Sequence, residues 1–208
     1  EAMSWDEFVE LSKKLTLDAN GNNALSSDFD KDNIVQYGCV VDNWTWQLEV
    51  WALSNGGRWF AEDGSACTIN DPKVIESIQK VADLTLAEHC MPYNAGLEDN
   101  GMQRSLLTGT VAMATAGAWN VGTCLNTARE EGLNYGVARL PKMEREVTIC
   151  TGGPQVVFSQ TKHPEEAMTF IKWYMQEENS WDSLIATGIW MPILEKYYTD
   201  PELTDKWI

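Results

Sequence analysis

The stretch Leu107-Thr108-Gly109-Thr110-Val111-Ala112-Met113-Ala114-Thr115-Ala116-Gly117-Ala118-Trp119-Asn120 decides the fold class. Asn100 to Thr108 reads as a short helix carrying Leu106 and Leu107, and Gly109 stands where a left-handed residue ends a helix. Val111 to Thr115 is a short apolar run of the kind that forms a buried strand. From Ala118 to Glu131 the pattern returns to a helix, which Gly132 stops. Helix, buried strand and helix in direct succession is the alternation of an α/β fold.

Working outward, Ser4-Trp5-Asp6-Glu7 forms a capping box, and Phe8, Leu11 and Leu15 follow at helical spacing, so a helix runs to about Thr16. Asp18 to Asn33 is rich in Asn, Asp, Ser and Gly and reads as turns. Val35 to Val41 is a short strand. Asp71-Pro72 pairs an N-cap with proline at the first helical position, and Ile75, Ile78, Val81, Ala82 and Leu86 mark one face of a helix reaching Glu88. Tyr135–Leu140, Val147–Cys150 and Gln155–Ser159 are candidate strands, the last two joined by the turn Thr151-Gly152-Gly153-Pro154. Pro164 opens a helix with Ala167, Phe170, Ile171 and Tyr174 as its stripe. A second helix runs from Ser180 to near Gly188, then a short one over Leu194 to Tyr198 and a turn at Asp200-Pro201. The whole is a helix-rich α/β pattern with few, scattered strands.

A formal net charge of −16 repels phosphates, which argues against nucleic acid and anionic lipid as direct partners. No run approaches the 18 or more apolar residues of a membrane span, so the chain itself is not expected to cross a bilayer. The start, Glu1-Ala2-Met3-Ser4-Trp5, has neither the basic nor the apolar region of an export signal, so any such signal is expected to have been removed or to lie outside this chain. Cys39, Cys67, Cys90, Cys124 and Cys150 match no Cys-x-x-Cys pattern and read as buried free thiols.

Searches for chemistry mostly fail. The two histidines, His89 and His163, accompany no Gly-x-Ser-x-Gly, and neither a Gly-x-Gly-x-x-Gly nor a Walker sequence is present. Asp28-Phe29-Asp30-Lys31-Asp32-Asn33 begins like a calcium loop, but Asn33 replaces the turn glycine and Cys39 the closing Glu. Asp18-Ala19-Asn20-Gly21-Asn22 fails in the same way at Phe29. No metal and no cofactor is expected. Glycosidase chemistry needs two convergent carboxylates and finds no recognisable motif here.

Ten tryptophans are the unusual feature of the composition. In Asp42-Asn43-Trp44-Thr45-Trp46 two indoles lie two residues apart beside groups that hydrogen-bond hydroxyls, and an extended backbone would put both rings on one face. Sugars present an apolar C–H face and a ring of hydroxyls, a surface that indoles flanked by Asp and Asn match. Gly117-Ala118-Trp119-Asn120, where strand gives way to helix, is a second candidate. Trp51, Trp59, Trp173 and Trp207 are assigned to packing.

In their order these motifs resemble the extracellular solute-binding proteins of carbohydrate ABC importers, the maltose-binding-protein-like family. Ser4-Trp5-Asp6-Glu7-Phe8 with Leu15-Thr16 is similar to the family's Thr-Trp-Asp-Glu helix. Gln36-Tyr37-Gly38 resembles its Tyr-Gly strand, and Gly56-Gly57 its paired glycines. Leu107 to Met113 resembles its Gly-Lys-Val-Ala-Met segment, continued by Gly117-x-Trp119. Tyr135-Gly136-Val137, Leu140-Pro141, Gly152-Gly153 and His163-Pro164-Glu165-Glu166-Ala167 resemble its later markers.

The resemblance implies a periplasmic-binding-protein-like fold of type II, two lobes closing on a ligand by hinge motion. It implies a longer parent, with strands ahead of the Trp-Asp-Glu helix and more helices behind Ile208. Residues 1–138 would form most of the second lobe, 139–190 a segment of the first, and 191–208 a hinge return with short helices. Trp119 falls on a sugar-stacking aromatic, Trp46 near another, Gly152 and Gly153 on a ligand-facing turn, and Trp190 near the hinge. With Asp42, Asn43, Trp44 and Asn120 these are the candidate ligand-binding residues. The expected partners are a saccharide and the permease subunits of an ABC importer, and the parent is expected to be a monomer. The expected setting is extracellular, as a membrane-anchored lipoprotein, with the periplasm as the alternative. A glycoside-processing enzyme fragment, a peptide or polyamine binder, and a structural or adhesion module remain as rival readings.

Overall fold

The structure, a computed structural model, describes residues 1–93, 108–120, 134–150, 152–180 and 190–204, together with 122, 124, 127 and 130–132. Its chain divides into two compact units, one of residues 1–115 and 136–149 and the other of 116–135 and 150–208.

In the first unit, α1 (Trp5–Leu15) starts from Ser4, whose side chain accepts the Glu7 N–H while Glu7 bonds back to the Ser4 N–H. Its buried face carries Trp5, Phe8 and Ser12. Two residues later β1 (Leu17–Asp18) pairs antiparallel with β2 (Ile34–Val40), which pairs parallel with β3 (Val111–Ala114) in the order β1-β2-β3. The parallel register, Tyr37 beside Val111 and Cys39 beside Met113, needs a crossover. That crossover includes α2 (Thr45–Ser54) and α3 (Pro72–Leu86), which pack on each other. The core gathers Trp5, Phe8, Cys39, Val41, Trp51, Val81, Leu84 and Cys90. Trp51 meets Trp5 edge to face at 5.2 Å, and its Nε1–H is buried without a hydrogen-bond partner.

Asp18 organises the loop that follows. Its carboxylate accepts the N–H of Asn20 and of Asn22 at 2.8 Å and that of Asp30 at 2.9 Å, and these bonds hold its pKa below the usual carboxylate value. The Asp30 carboxylate likewise accepts the Asp32 N–H at 3.1 Å and the Asn33 side-chain amide at 2.7 Å. No cluster of three or more His, Cys, Asp or Glu able to hold a metal occurs among the described residues.

Several expectations change. The buried face of α3 is Val74, Ser77, Val81 and Leu84, while Ile75 and Leu86 are exposed. The reason is the approach of Gly57, where an added Cβ would lie 2.7 Å from Val74 Cγ2. The three segments Tyr135–Leu140, Val147–Cys150 and Gln155–Ser159 form no strand among the described residues, and Val137, Val156 and Phe158 are exposed. Within the first unit the chain there joins helix ends instead. Lys142 exchanges backbone bonds with Met3 and Trp5, and Ser54 ties down Met143, Glu144 and Arg145. Glu144 also pairs with Lys73 at the start of α3.

In the second unit, residues 118–120 make a single 3₁₀ turn, and the described residues 122, 124, 127, 130 and 131 are helical. Gly132, at φ +73, ends that run. α4 (Pro164–Tyr174) follows His163, with proline in its first turn and Glu165 and Glu166 favouring the positive end of the helix dipole. It buries no residue fully, and Phe170 is exposed although it belongs to the expected stripe. Short helices α5 (Glu177–Ser180), α6 (Lys196–Thr199) and α7 (Pro201–Thr204) follow among the described residues of this unit. The expected helices over 100–108 and 180–188 lie almost wholly outside the described residues. Among those described, no helix is long and apolar enough to cross a membrane.

Candidate functional site

Asp42 and Asn43 leave the carboxyl end of β2 and lead into α2. Asp42 is 6% exposed, and its backbone N–H donates to Thr115 Oγ1 at 3.1 Å, which fastens it to the residue that follows β3. Its Oδ1 accepts the Trp44 N–H at 3.2 Å, a local turn that sets the direction in which the chain enters the helix. Burial pushes the Asp42 carboxyl up, against the pull of the backbone amides of Trp44 and Asn43. Carboxyl ends of adjacent parallel strands are where ligands settle on open α/β sheets.

Trp44 caps α2 in an extended conformation and is 60% exposed, whereas Trp46 sits half-buried in the first turn. The two indoles therefore do not share one face of an extended segment. Helix begins at Thr45, and two residues on a helix turn the side chain through about 200°. The structure brings Asp42, Asn43, Trp44 and Trp46 together in one turn of chain, with Trp44 as the accessible ring.

In the second unit, the Trp119 ring lies over Gly117. A Cβ at that glycine would fall 2.0 Å from Cζ3 of the indole, so only the bare backbone leaves room for it. The Asn120 N–H donates to the Gly117 carbonyl at 3.1 Å and closes the turn. Trp119 is 38% exposed and Asn120 half-buried. Gly152 and Gly153 are exposed, and Gly153 approaches Trp190, its added Cβ lying 3.3 Å from Cη2. Trp190 is 46% exposed.

Among the tryptophans assigned to packing, Trp51 is sealed and Trp59 has a buried Nε1. Trp173 differs, being 52% exposed and tilted against Phe170 at 6.1 Å. Trp207 lies outside the described residues. Sequence reasoning missed Thr115, whose hydroxyl anchors Asp42. Its signal was its place at the end of a strand, a position the apolar pattern alone does not distinguish. A surface concavity lined by Glu1, Ala2, Met3, Ser4, Glu7, Leu11 and Lys142 contains none of the candidate residues.

Comparison with known proteins agrees with this architecture. The family described as bacterial extracellular solute-binding protein matches residues 1–208. Among solved structures, the chain is similar to the maltose/maltodextrin-binding domain MalE of Bdellovibrio bacteriovorus bound to maltotriose (TM-score 0.71, 16% identity, 99% of this chain and 52% of that one). It is likewise similar to a solute-binding protein of Thermotoga lettingae bound to α-D-tagatose (TM-score 0.71, 19% identity, 99% and 51%). A third is the GacH receptor of Streptomyces glaucescens, described unliganded and with acarbose (TM-score 0.67, 17% identity, 99% and 49%). The chain spans about half the length of these structures. Its fold is theirs in that half, the helix-rich α/β fold of periplasmic-binding proteins of type II.

Proposed function

Because the chain belongs to the bacterial extracellular solute-binding protein family, we propose that it captures a saccharide outside the cell and delivers it to the permease subunits of an ABC importer without transforming it. One observation carries this reading: Trp119 is held over a bare glycine with part of its ring open to solvent and an asparagine beside it. A ring fixed in this way gives a flat apolar platform at low entropic cost, which is what the C–H face of a pyranose requires. Trp44, Trp46 and Trp190 supply further indoles, and Asp42, Asn43 and Asn120 read hydroxyls. Gly152 and Gly153 let a ligand approach the backbone closely. The molecules named for the three similar structures, maltotriose, α-D-tagatose and acarbose, are of the same chemical class.

The same reading takes residues 1–138 as most of one lobe, 139–190 as a segment of the other and 191–208 as a hinge return, in a monomeric parent that closes by hinge motion and is tethered through a lipid-modified N-terminus. Isothermal calorimetry of the full-length protein against mono- and oligosaccharides, polyols, peptides and polyamines tests it. Heat from a sugar, with no new product by chromatography, is the expected result. Binding only to a polyamine or a peptide, or cleavage of an oligosaccharide, would refute it.

A further inference from the structure

Two cysteines far apart in sequence meet in the core of the first unit. The Cys39 N–H, on β2, donates to the carbonyl of Cys90, just beyond α3, at 3.1 Å. The Cys39 thiol points at that same carbonyl at 3.7 Å, and the Cys90 thiol donates to the Leu84 carbonyl at 3.5 Å. Both residues are wholly buried. A direct backbone bond brings the two main chains into contact, the close approach that a disulfide, with α-carbons roughly 4.4 to 6.8 Å apart, requires. The neighbouring Cys39 side chain and burial push the Cys90 thiol far above its usual range. Cys67 and Cys150, by contrast, are exposed, so the expectation of five buried thiols holds only for Cys39, Cys90 and Cys124.

We propose that Cys39 and Cys90 close into a disulfide that ties β2 to the end of α3 as the protein matures outside the cell, where such bonds persist. Each thiol gives up its hydrogen and one S–S bond forms. The two electrons and two protons pass by thiol–disulfide exchange to a small-molecule or protein disulfide, whose own S–S bond is cleaved to two thiols. Exchange needs an incoming disulfide to reach the sulfur, and both thiols are sealed in the core, so the bond forms before the core closes over the pair. The two residues are 51 positions apart, and the bond would remove that much loop freedom from the unfolded chain.

The test is a disulfide map of the full chain. Exported by a bacterial host in the presence of oxidised glutathione, the protein is denatured without reductant, alkylated, digested and analysed by mass spectrometry. Expected are a linked pair of peptides carrying Cys39 and Cys90 and alkylated Cys67, Cys124 and Cys150. Five alkylated cysteines, or a bond through any other pair, overturns the proposal. Reduction of the linked protein should lower its Tm by about 10 °C, and Cys39→Ser or Cys90→Ser should abolish that sensitivity. An unchanged Tm on reduction would remove the bond's role as a tie. Should either variant fail to fold, the peptide map of the unmutated chain still decides.

Discussion

At Gly117 the space for a side chain is already filled by the indole two residues on. Gly117→Ala is therefore expected to lift the Trp119 ring from its seat, and Trp119→Ala to remove it. Burying an indole face contributes on the order of 2 kcal/mol, so each variant should weaken saccharide binding by tens of fold in calorimetry. Equal affinity in Trp119→Ala would take Trp119 out of the site. Asp42 makes a prediction of opposite character. Its native pKa lies above 3.8, so the folded chain holds this proton more tightly than the unfolded one. The contribution of Asp42 to stability is then greatest at low pH and is lost as pH rises from 3.8 through its raised native value. Comparison of urea midpoints of Asp42→Asn and the parent across that window should show the parent falling relative to the variant. A parallel pair of curves would mean that burial does not perturb this carboxyl. From sequence, Trp44 and Trp119 were legible as candidates because Asp or Asn stands beside each. Their separate settings were not, because exposure depends on which neighbour the chain brings over a ring.

α1 and β2 cross where Gly38 faces Ser12. A Cβ at Gly38 would lie 1.8 Å from the Ser12 carbonyl oxygen, a backbone atom fixed by bonds from the Thr16 N–H at 3.0 Å and the Thr16 hydroxyl at 2.8 Å. Gly38→Ala should destabilise the first unit by more than about 4 kcal/mol, seen as loss of its cooperative thermal transition. Ser4→Ala breaks the capping box and should cost about 1 kcal/mol, read as a lower urea midpoint with unchanged slope. Helices with such local punctuation were legible: Ser4 and Glu7 bracket the start of α1, and Asp71-Pro72 that of α3. The runs around Val137, Val147 and Val156 have strand-like residues but no ladder among the described residues, and pairing is a property of a distant neighbour that the run itself does not encode.

Across the molecule the two units differ in how much apolar surface they seal. Among the described residues, the first holds the fully buried large side chains, whereas in the second Phe158, Phe170 and Ile193 stand open and α4 buries no residue fully. Limited trypsin digestion of this chain should cut at Lys162 and Lys172 before Lys13 or Lys80, as mass spectra of early fragments would show. Early cleavage in α1 or α3 would contradict that order. One consequence concerns light. Trp51, sealed against Trp5 with no partner for its N–H, has little around it that can reorient after excitation and should emit at short wavelength. Trp44, Trp119 and Trp190 face water and should emit further to the red. The spectrum of this one chain should thus separate by colour, its blue edge following the integrity of the first unit and its red edge following whatever displaces water from the open indoles.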